Sequence, residues 1–326
     1  MSTATIDDAF RDQVEPLRRE ITAHCYRMLG SVHEAEDLVQ ETYLRAWRAF
    51  DSFEGRSSVR TWLYRIATNA CLTALEQSQR RPLPTGLGQP NSSPVGELES
   101  RPELPWLEPL PDSLVWGEPD VDPAEQAVTS DNIRLAFVAA LQLLTPKQRA
   151  VLILRDVLAW RASEVAKALE ISEAAVNSAL QRARAQVAEH APERPELPDD
   201  DRSRQLLDRY LAAFHDYNVD RIVELLTEDA VWEMPPFTGW FRGHKDIRHL
   251  MTAQCPAKGP GDMRLLPTSA NGQPAFGAYH RGPDGVYRAF QLQQLSIGPD
   301  GIDHVACYFD LTLFAKFGLP EALAEE

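Results

Sequence analysis

The proline distribution constrains this chain more than any other feature. Ten of its 24 prolines fall between residues 79 and 124, together with four glycines and little helical periodicity. Proline at that density favours an extended, semi-rigid connector over a packed domain. A shorter break, APERPELPDDD, follows at 191–201. The 326-residue chain is therefore predicted to be multidomain, with a module over 9–80, a Pro-rich acidic linker over 81–124, a module over 125–190 and a module over 200–326.

Charge is unevenly distributed among these pieces. The net charge of −15 divides into −2 for residues 1–80, −6 for 81–124, +1 for 125–190 and −8 for 191–326. The acid thus collects in the linker and the C-terminal module, and the two nearly neutral pieces should bind nucleic acid only weakly by themselves. Such a protein would depend on a partner to hold it on DNA.

Several classes of protein are disfavoured. No stretch approaches the ~20 apolar residues of a membrane span, and the N-terminus lacks the apolar core of a signal peptide. The cysteines, at 25, 71, 255 and 307, are too scattered for a zinc knuckle or a disulfide framework, and the histidines lack metal-ligand spacing. The expectation is a cytoplasmic protein without membrane contact, cofactor or metal.

The first two modules are predicted to be helical. Ser31 and Glu34 form an S-x-x-E capping box that places a helix start at Ser31. A second helix runs from about 59 to 79, after the loop FEGRSS at 53–58. In the middle module, Thr145 to Gln148 form another capping box. Short helices at 162–169 and 173–187, the second with Ser172 as N-cap, have the spacing of a helix-turn-helix.

The third module is predicted to mix helices with strands. Helical stretches at 203–216 and 219–226 precede two copies of G-P-D-G, at 282–285 and 298–301, which are typical of tight hairpin turns. Residues 302–314 alternate between an apolar face and a mixed, partly aromatic face. That alternation predicts a strand of a curved sheet that cups a cavity.

Two segments, in this order, resemble a known family. RMLGSVHEAEDLVQETYLRAWRAFDSFEGRSSVRTWLYRIATNACL (27–72) resembles region 2 of the sigma-70 superfamily of bacterial transcription factors. DNIRLAFVAALQLLTPKQRAVLILRDVLAWRASEVAKALEISEAAVNSALQRARAQV (131–187) resembles region 4. Their pairing without a region 3 is typical of the extracytoplasmic-function group. LAAFHDYNVDRIVELLTEDAVWEMPP (211–236) and GWFRGHKDIRHL (239–250) resemble the SnoaL subclass of the NTF2-like fold.

The resemblance implies two all-α sigma modules, a region 2 helical bundle and a region 4 helix-turn-helix, plus an α+β NTF2-like cone domain. It also implies a sigma factor that binds the β′ clamp and β flap of core RNA polymerase and directs initiation at promoter DNA. In the family, the E-D-L-V-Q-E segment docks on the clamp helices, where acidic and amide groups can pair with arginines while apolar neighbours desolvate the contact. The matching residues here are Glu36, Asp37, Leu38, Val39, Gln40 and Glu41.

Reading and melting the −10 element needs groups that stack on unpaired bases or hold the backbone. Trp62 and Ile66 are spaced i,i+4, so Trp62 fits a core position as well as a base contact. The candidates for the −10 element are Arg56, Ser57, Arg60, Trp62, Tyr64 and Asn69.

The −35 element would be read by the second helix of the helix-turn-helix, lying in the major groove. Asn177 and Gln181 could each pair with adenine, and Arg182 and Arg184 with guanine or phosphate. The sequence departs from the family in having V-N-S-A-L where V-K-S-R-L is commoner, and Glu170 where a turn glycine is usual. The candidates are Arg161, Ser172, Ala174, Asn177, Ser178, Gln181, Arg182 and Arg184.

The third module has fewer distinctive motifs. Its candidate pocket residues are Trp232, Met234, Trp240, Tyr279, Tyr308 and Asp310. His249, His304 and Asp310 could form an acid–base pair if they converged, although an apolar core with surface charges is the simpler interpretation. The prediction is a non-enzymatic, cis-acting regulatory domain, with a small-molecule ligand and a separate anti-sigma factor left open.

Two rival functions stay open. A one-component helix-turn-helix regulator that senses a small molecule would leave Asp37 to Glu41 and the region around Trp62 without a purpose. A DNA-tethered NTF2-like enzyme would require turnover by the third module.

Overall fold

The computed structural model describes residues 3–76, 80–116, 132–190 and 200–323. The chain divides into two compact units. The helical unit comprises Met1–Arg81 and Leu107–Ala191, and the sheet unit comprises Pro82–Trp106 and Pro192–Glu326. Within the described residues, none of the helices combines the length and apolar character that a membrane crossing requires.

Over its described residues the linker is packed, whereas its proline content predicts a connector that is free of the domains. Residues 82–106 belong to the sheet unit and residues 107–116 to the helical unit. Leu83, Leu107 and Leu110 are 6%, 0% and 1% exposed. Proline prevents regular helices and ladders, but it does not prevent apolar neighbours from being buried.

Region 2 forms a four-helix module. Its helices are α1 (Thr3–Val14), α2 (Arg18–Leu29), α3 (Val32–Ala49) and α4 (Val59–Leu75). The N-cap at Ser31 is confirmed, since the Glu34 N–H donates to the Ser31 hydroxyl at 3.1 Å. Gly30 ends α2 at φ +72°, and a Cβ there would lie 2.8 Å from Leu107 and 2.9 Å from Gln142. Glycine is required at this turn both for its φ and for the close approach.

Region 4 is the second helical module. It consists of α5 (Leu135–Leu141), α6 (Pro146–Leu152) with a π turn over Ile153–Val157, α7 (Ala162–Leu169) and α8 (Glu173–His190). The capping box at Thr145 is confirmed. Glu170 ends α7 at φ +55°, so it adopts the left-handed conformation in which glycine is usual. The predicted helix-turn-helix is thus confirmed as α7 and α8.

The sheet unit is a curved sheet covered by helices. Its helices are α9 (Asp200–His215), α10 (Val219–Glu224), α11 (Gly243–Gln254) and α12 (Thr312–Lys316). Its strands are β1 (Leu226–Glu233), β2 (Trp240–Arg242), β3 (Met263–Ala270), β4 (Gln273–Arg281), β5 (Tyr287–Gly298), β6 (Gly301–Tyr308) and β7 (Ala322–Leu323). The sheet order is β2-β1-β6-β5-β4-β3, with β7 on β5, and only β1 and β6 pair in parallel.

Both G-P-D-G segments lie at hairpins, as predicted, between β4 and β5 and between β5 and β6. The predicted strand over 302–314 is too long, because β6 ends at Tyr308 and α12 begins at Thr312. Leu313 and Phe314 on that helix are buried at 0% and 1%. Alternating apolar residues at the end of a strand can therefore also belong to a short amphipathic helix.

Candidate functional site

The predicted docking segment lies on α3, with Asp37 and Gln40 exposed. Glu36, Leu38 and Glu41 are half-buried, and Glu41 accepts from Arg45 Nε at 2.7 Å. Val39 is 2% exposed and faces the core of the bundle. The Val39 side chain therefore packs inside the bundle and cannot exclude water from a contact with a partner.

The same face of α3 carries two apolar side chains that the sequence analysis did not select. Leu44 is 50% and Trp47 48% exposed. If Asp37 is position i, then Gln40, Leu44 and Trp47 lie at i+3, i+7 and i+10, so all four side chains share one face of the helix. Helical counting from Gln40 would have found them. The four residues Asp37, Gln40, Leu44 and Trp47 are called the α3 face below.

The residues predicted for the −10 element surround the loop at 53–58 and the start of α4. Arg56, Ser57 and Asn69 are exposed. Arg60 is exposed and its Nε lies 2.6 Å from Glu20 Oε2. Trp62 is half-buried, and its ring lies 4.8 Å from that of Phe53 and 6.4 Å from that of Phe50. The half-buried position of Trp62 is compatible with both interpretations, and its contact with a base stays a prediction.

Tyr64 is the exception in this set, because it is buried at 1% exposure. Its hydroxyl lies 3.1 Å from Glu20 Oε2, and burial raises the pKa of the phenol. Its ring is edge-on to His24 at 5.1 Å and to Trp160 at 6.3 Å. The side chain cannot stack on a base in this conformation. Helical spacing could have indicated this, because residues i and i+2 of a helix point to different faces and Tyr64 lies two positions after Trp62.

The residues predicted for the −35 element lie mainly on the outer face of α8. Most are exposed: Arg161, Ser172, Ala174, Asn177, Ser178, Gln181 and Arg182. Arg184 is also exposed, but Asp156 holds it through two bonds, from Nε at 2.8 Å and from Nη2 at 2.7 Å. Amide and hydroxyl groups thus outnumber unpaired guanidinium groups along this helix.

Within the helical unit, region 4 contacts region 2 through buried arginines. Arg149 of α6 is 3% exposed and donates to the Met28 carbonyl, to Gln142 Oε1 at 2.7 Å and to the Leu144 carbonyl at 3.3 Å. Arg27 of α2 is 4% exposed and donates to the Asn132 carbonyl at 3.1 Å. Burial lowers the pKa of each guanidinium to about 10. These contacts hold the two modules together in a closed arrangement.

In the part of the chain that the structure describes, the predicted pocket residues of the sheet unit occupy separate places. Trp232 and Met234 belong to the core cluster at 3% and 7% exposure. Tyr279 and Tyr308 are buried outside that cluster, and Tyr279 is edge-on to Phe314 at 5.5 Å. Strand alternation directs these aromatic side chains to different faces of the sheet, so the structure does not bring them together, and a pocket formed by them stays a prediction.

The two remaining pocket candidates are separately engaged. Asp310 is exposed, and its Oδ1 accepts from the Thr312 hydroxyl at 2.6 Å. The half-buried Trp240 donates from Nε1 to the Gln89 carbonyl at 3.1 Å. His249 is exposed beside an open groove of about 480 Å³. No hydrogen bond joins His249, His304 and Asp310 to one another in the part of the chain that the structure describes.

His304 instead pairs with a carboxylate that the sequence analysis did not select. His304 Nε2 lies 2.6 Å from Oε1 of Glu233, which is 1% exposed. Burial of His304 disfavours its charged form, but the hydrogen bond and the charge of Glu233 raise the pKa of the imidazole above its usual value. The other carboxylate oxygen accepts from the Thr85 N–H at 2.7 Å. A buried carboxylate of the sheet unit thus binds the backbone of the linker.

The linker is held along the edge of the sheet over residues 85–101, called the linker strap below. Ser100 and Phe237 form an antiparallel bridge. Three backbone hydrogen bonds join the strap to the rest of the sheet unit. The Ser92 N–H donates to the Trp240 carbonyl (2.7 Å), the Thr238 N–H to the Glu99 carbonyl (2.9 Å) and the Arg101 N–H to the Pro236 carbonyl (2.9 Å). Gln254 Nε2 donates to the Gly96 carbonyl at 2.8 Å.

Comparison with known proteins assigns each module. Residues 13–81 match sigma-70 region 2, residues 134–187 match sigma-70 region 4, and residues 207–297 match the SnoaL-like domain. The ECF RNA polymerase sigma factor SigG of Mycobacterium tuberculosis H37Rv is 56% identical over 317 residues, which cover 96% of this chain and 85% of that relative. SigJ of the same organism is 29% identical over 287 residues, covering 85% of this chain and 83% of that relative.

A solved structure shares the fold. The crystal structure of Mycobacterium tuberculosis extracytoplasmic function sigma factor SigJ matches with a TM-score of 0.61 at 24% identity, over 95% of this chain and 99% of that one.

Proposed function

Since this chain belongs to the family of extracytoplasmic-function (ECF) RNA polymerase sigma factors, we propose that it binds core polymerase through the α3 face. The carrying observation is that this face combines the exposed Asp37 and Gln40 with the half-exposed Leu44 and Trp47. A carboxylate and an amide can bond to cationic side chains of a partner, while the apolar pair is removed from water. Buried aromatic residues commonly supply much of the binding energy of such a contact.

Reconstitution with purified core polymerase tests this proposal. We expect Asp37→Ala combined with Gln40→Ala, or Trp47→Ala alone, to weaken holoenzyme formation by roughly tenfold or more, because each removes central contacts. Asp12 and Gln13 on α1 offer a matched control, since both are exposed and have the same residue types. Equal binding by the α3 variants and by Asp12→Ala combined with Gln13→Ala would contradict the proposal.

For promoter reading, we assign the −10 element to the loop at 53–58 with Arg60, Trp62 and Asn69, and the −35 element to α8. The exposure of Asn177 and Gln181 supports adenine reading, since each amide can bond to the major-groove edge of that base. Because Arg184 is bonded to Asp156, Arg182 is the arginine of α8 that we assign to guanine or phosphate. Replacing Asn177 or Gln181 with Ala should relax base preference at one −35 position each by about 1–3 kcal/mol. Selection of promoter variants by holoenzyme would measure this, and unchanged preferences would reject the assignment.

The closed helical unit must open for both elements to be read together. A compact unit of about 160 residues has a radius of gyration near 15 Å. Elements centred near −10 and −35 lie on the order of 80 Å apart at about 3.4 Å per base pair. Regions 2 and 4 therefore have to separate, and the linker between them has to extend.

We propose that the SnoaL-like domain acts on this step in cis. The supporting observation is that the sheet unit holds the linker strap through Glu233 and the β2 edge. The strap is part of the stretch of chain that connects regions 2 and 4. While it is held, the strap cannot contribute to an extended linker. Removing residues 200–326 should therefore change polymerase binding or open-complex formation, and equal transcription by both chains in every condition would reject the cis-acting role.

The rival functions receive less support. A one-component repressor leaves the α3 face without a partner. An enzyme would need an acid–base site that is open to substrate, whereas the Glu233 carboxylate that pairs with His304 is 1% exposed and also accepts from the Thr85 N–H. We therefore propose a non-catalytic role for this domain, acting with polymerase and promoter DNA in the cytoplasm. Turnover that is lost on Asp310→Ala would favour the enzyme instead.

A further inference from the structure

The sheet unit holds the linker strap as domains hold a bound peptide. Six main-chain groups of the strap are hydrogen-bonded to the rest of the unit: the N–H groups of Thr85, Ser92 and Arg101 and the carbonyls of Gln89, Gly96 and Glu99. Three of these bonds go to backbone groups between residues 236 and 240, and three go to the side chains of Glu233, Trp240 and Gln254. When a peptide adds to a sheet edge, such main-chain bonds supply the affinity.

The position of β2 explains why the strap lies there. β2 is the outermost strand at one end of the sheet, and among the described strands only β1 pairs with it. The outer N–H and carbonyl groups of an edge strand form a ready template for another extended segment. The strap covers this edge with the bond between Ser92 and Trp240, and it continues along the segment just before β2 with the antiparallel bridge at Ser100 and Phe237.

Side chains of the strap contribute at few positions. Leu98 is half-buried and packs against the core cluster of the sheet unit, whereas Val95 is 71% exposed. Across the contact, a Cβ on Gly239 would lie 3.1 Å from the Ser92 hydroxyl, so the strap approaches the backbone there closely. Main-chain hydrogen bonds along an edge that contains Gly239, together with the apolar contact of Leu98, are the elements of a peptide-binding site.

We propose that the SnoaL-like domain is a peptide-binding module whose ligand is an extended segment with the chemistry of residues 85–101. In the free chain the occupant is the chain's own linker strap. This proposal deepens the cis-acting role proposed above and rests on it for its biological purpose. A tethered occupant competes at an effective concentration in the millimolar range, so a peptide in trans should bind well only when the strap is removed.

Peptide binding to the full-length chain tests the proposal. One variant, called the replaced chain, has a Gly/Ser segment of the same length in place of residues 85–101. A fluorescein-labelled synthetic peptide of residues 82–106 is titrated with each chain, and its binding is followed by fluorescence anisotropy. We expect the peptide to bind the replaced chain at least roughly tenfold more tightly than the wild-type chain, because the wild-type site is already filled.

Two variants localise the binding. Leu98→Asp in the peptide should weaken binding roughly tenfold or more, while Val95→Asp, a change of similar chemistry at an exposed position, should have little effect. Gly239→Val in the replaced chain should abolish binding by pressing on Ser92. Failure of the peptide to bind a replaced chain with a wild-type circular dichroism spectrum overturns the proposal, as does equal weakening by the two Asp variants.

Hydrogen exchange on the wild-type chain provides a second test if the replaced chain does not fold. The Ser92, Arg101 and Thr238 amides should exchange more slowly than that of the exposed Glu97, and Gly239→Val should remove this protection selectively. Unprotected amides at those three positions overturn the proposal. Neither measurement uses polymerase, so a bound strap without any effect on transcription would reject the cis-acting role and leave the peptide site intact.

Discussion

Each unit contains a buried charged contact, and the two contacts differ in the chemistry of their partners. In the helical unit, Arg149 and Arg27 are nearly inaccessible, and the hydrogen bonds described for them end on carbonyl and amide oxygens. In the sheet unit, the buried Glu233 is bonded to an ionisable partner, His304, as well as to a backbone N–H. A guanidinium with a pKa of about 10 stays charged at physiological pH, whereas an imidazole can lose its proton. The helical contact should therefore be insensitive to pH, and the sheet contact should respond to it.

Arg149→Ala should have the largest effect on stability. It removes the donor to the Met28 carbonyl and leaves a cavity, and we expect the helical unit to lose about 3 kcal/mol. Arg149→Met should cost less than half as much, because an apolar side chain of similar volume fills the cavity that alanine leaves. Chemical denaturation followed by circular dichroism would compare them. Equal losses would mean that the lost hydrogen bonds, and not the cavity, account for the cost.

Glu233→Gln should have the next largest effect, about 2 kcal/mol, because it removes a charged acceptor from a buried hydrogen bond with His304. The variant should also weaken the hold on Thr85 and accelerate hydrogen exchange in the linker strap. Glu228, an exposed carboxylate on the same strand, offers a control. Comparable losses from Glu228→Gln would contradict the special role of Glu233.

The pH dependence sharpens the comparison further. The pKa of His304 is raised in the folded chain, so its contribution is fully present below the usual value near 6.5 and is lost as the pH rises through the folded pKa. As the pH is raised above 6, the Tm of the sheet unit should therefore decrease more in the wild type than in the His304→Gln variant. Parallel Tm curves for the two chains would show that this pair does not titrate in that range.

Asp156→Ala should have the smallest effect on stability, within about 1 kcal/mol, because its pair with Arg184 is exposed to solvent and screened by salt. The same substitution frees Arg184 on the predicted −35 helix, so it should strengthen promoter binding at low salt and steepen its salt dependence. A large stability loss would show that this surface pair carries more than exposed pairs normally do.

Local signals predicted the elements well. Ser31, Thr145 and Ser172 cap helices as the sequence indicates, and both G-P-D-G segments form hairpins, because such contacts lie within a few residues. Exposure within an element was harder to predict. Val39 and Tyr64 point into the core although their neighbours are accessible, and Leu44 and Trp47 were overlooked as apolar residues.

The sequence by itself determined two helical modules and a mixed module, because capping and periodicity are properties of the chain. The resemblance of its motifs to known families identified these modules as sigma-70 type and SnoaL-like. Only the tertiary structure decided that Glu233 meets His304, that Arg149 reaches Met28 and that the linker lies on the β2 edge. Each of these contacts joins residues more than 70 positions apart. Their partners are selected by burial and by the need to satisfy buried polar groups, which depend on the folded arrangement and not on spacing along the chain.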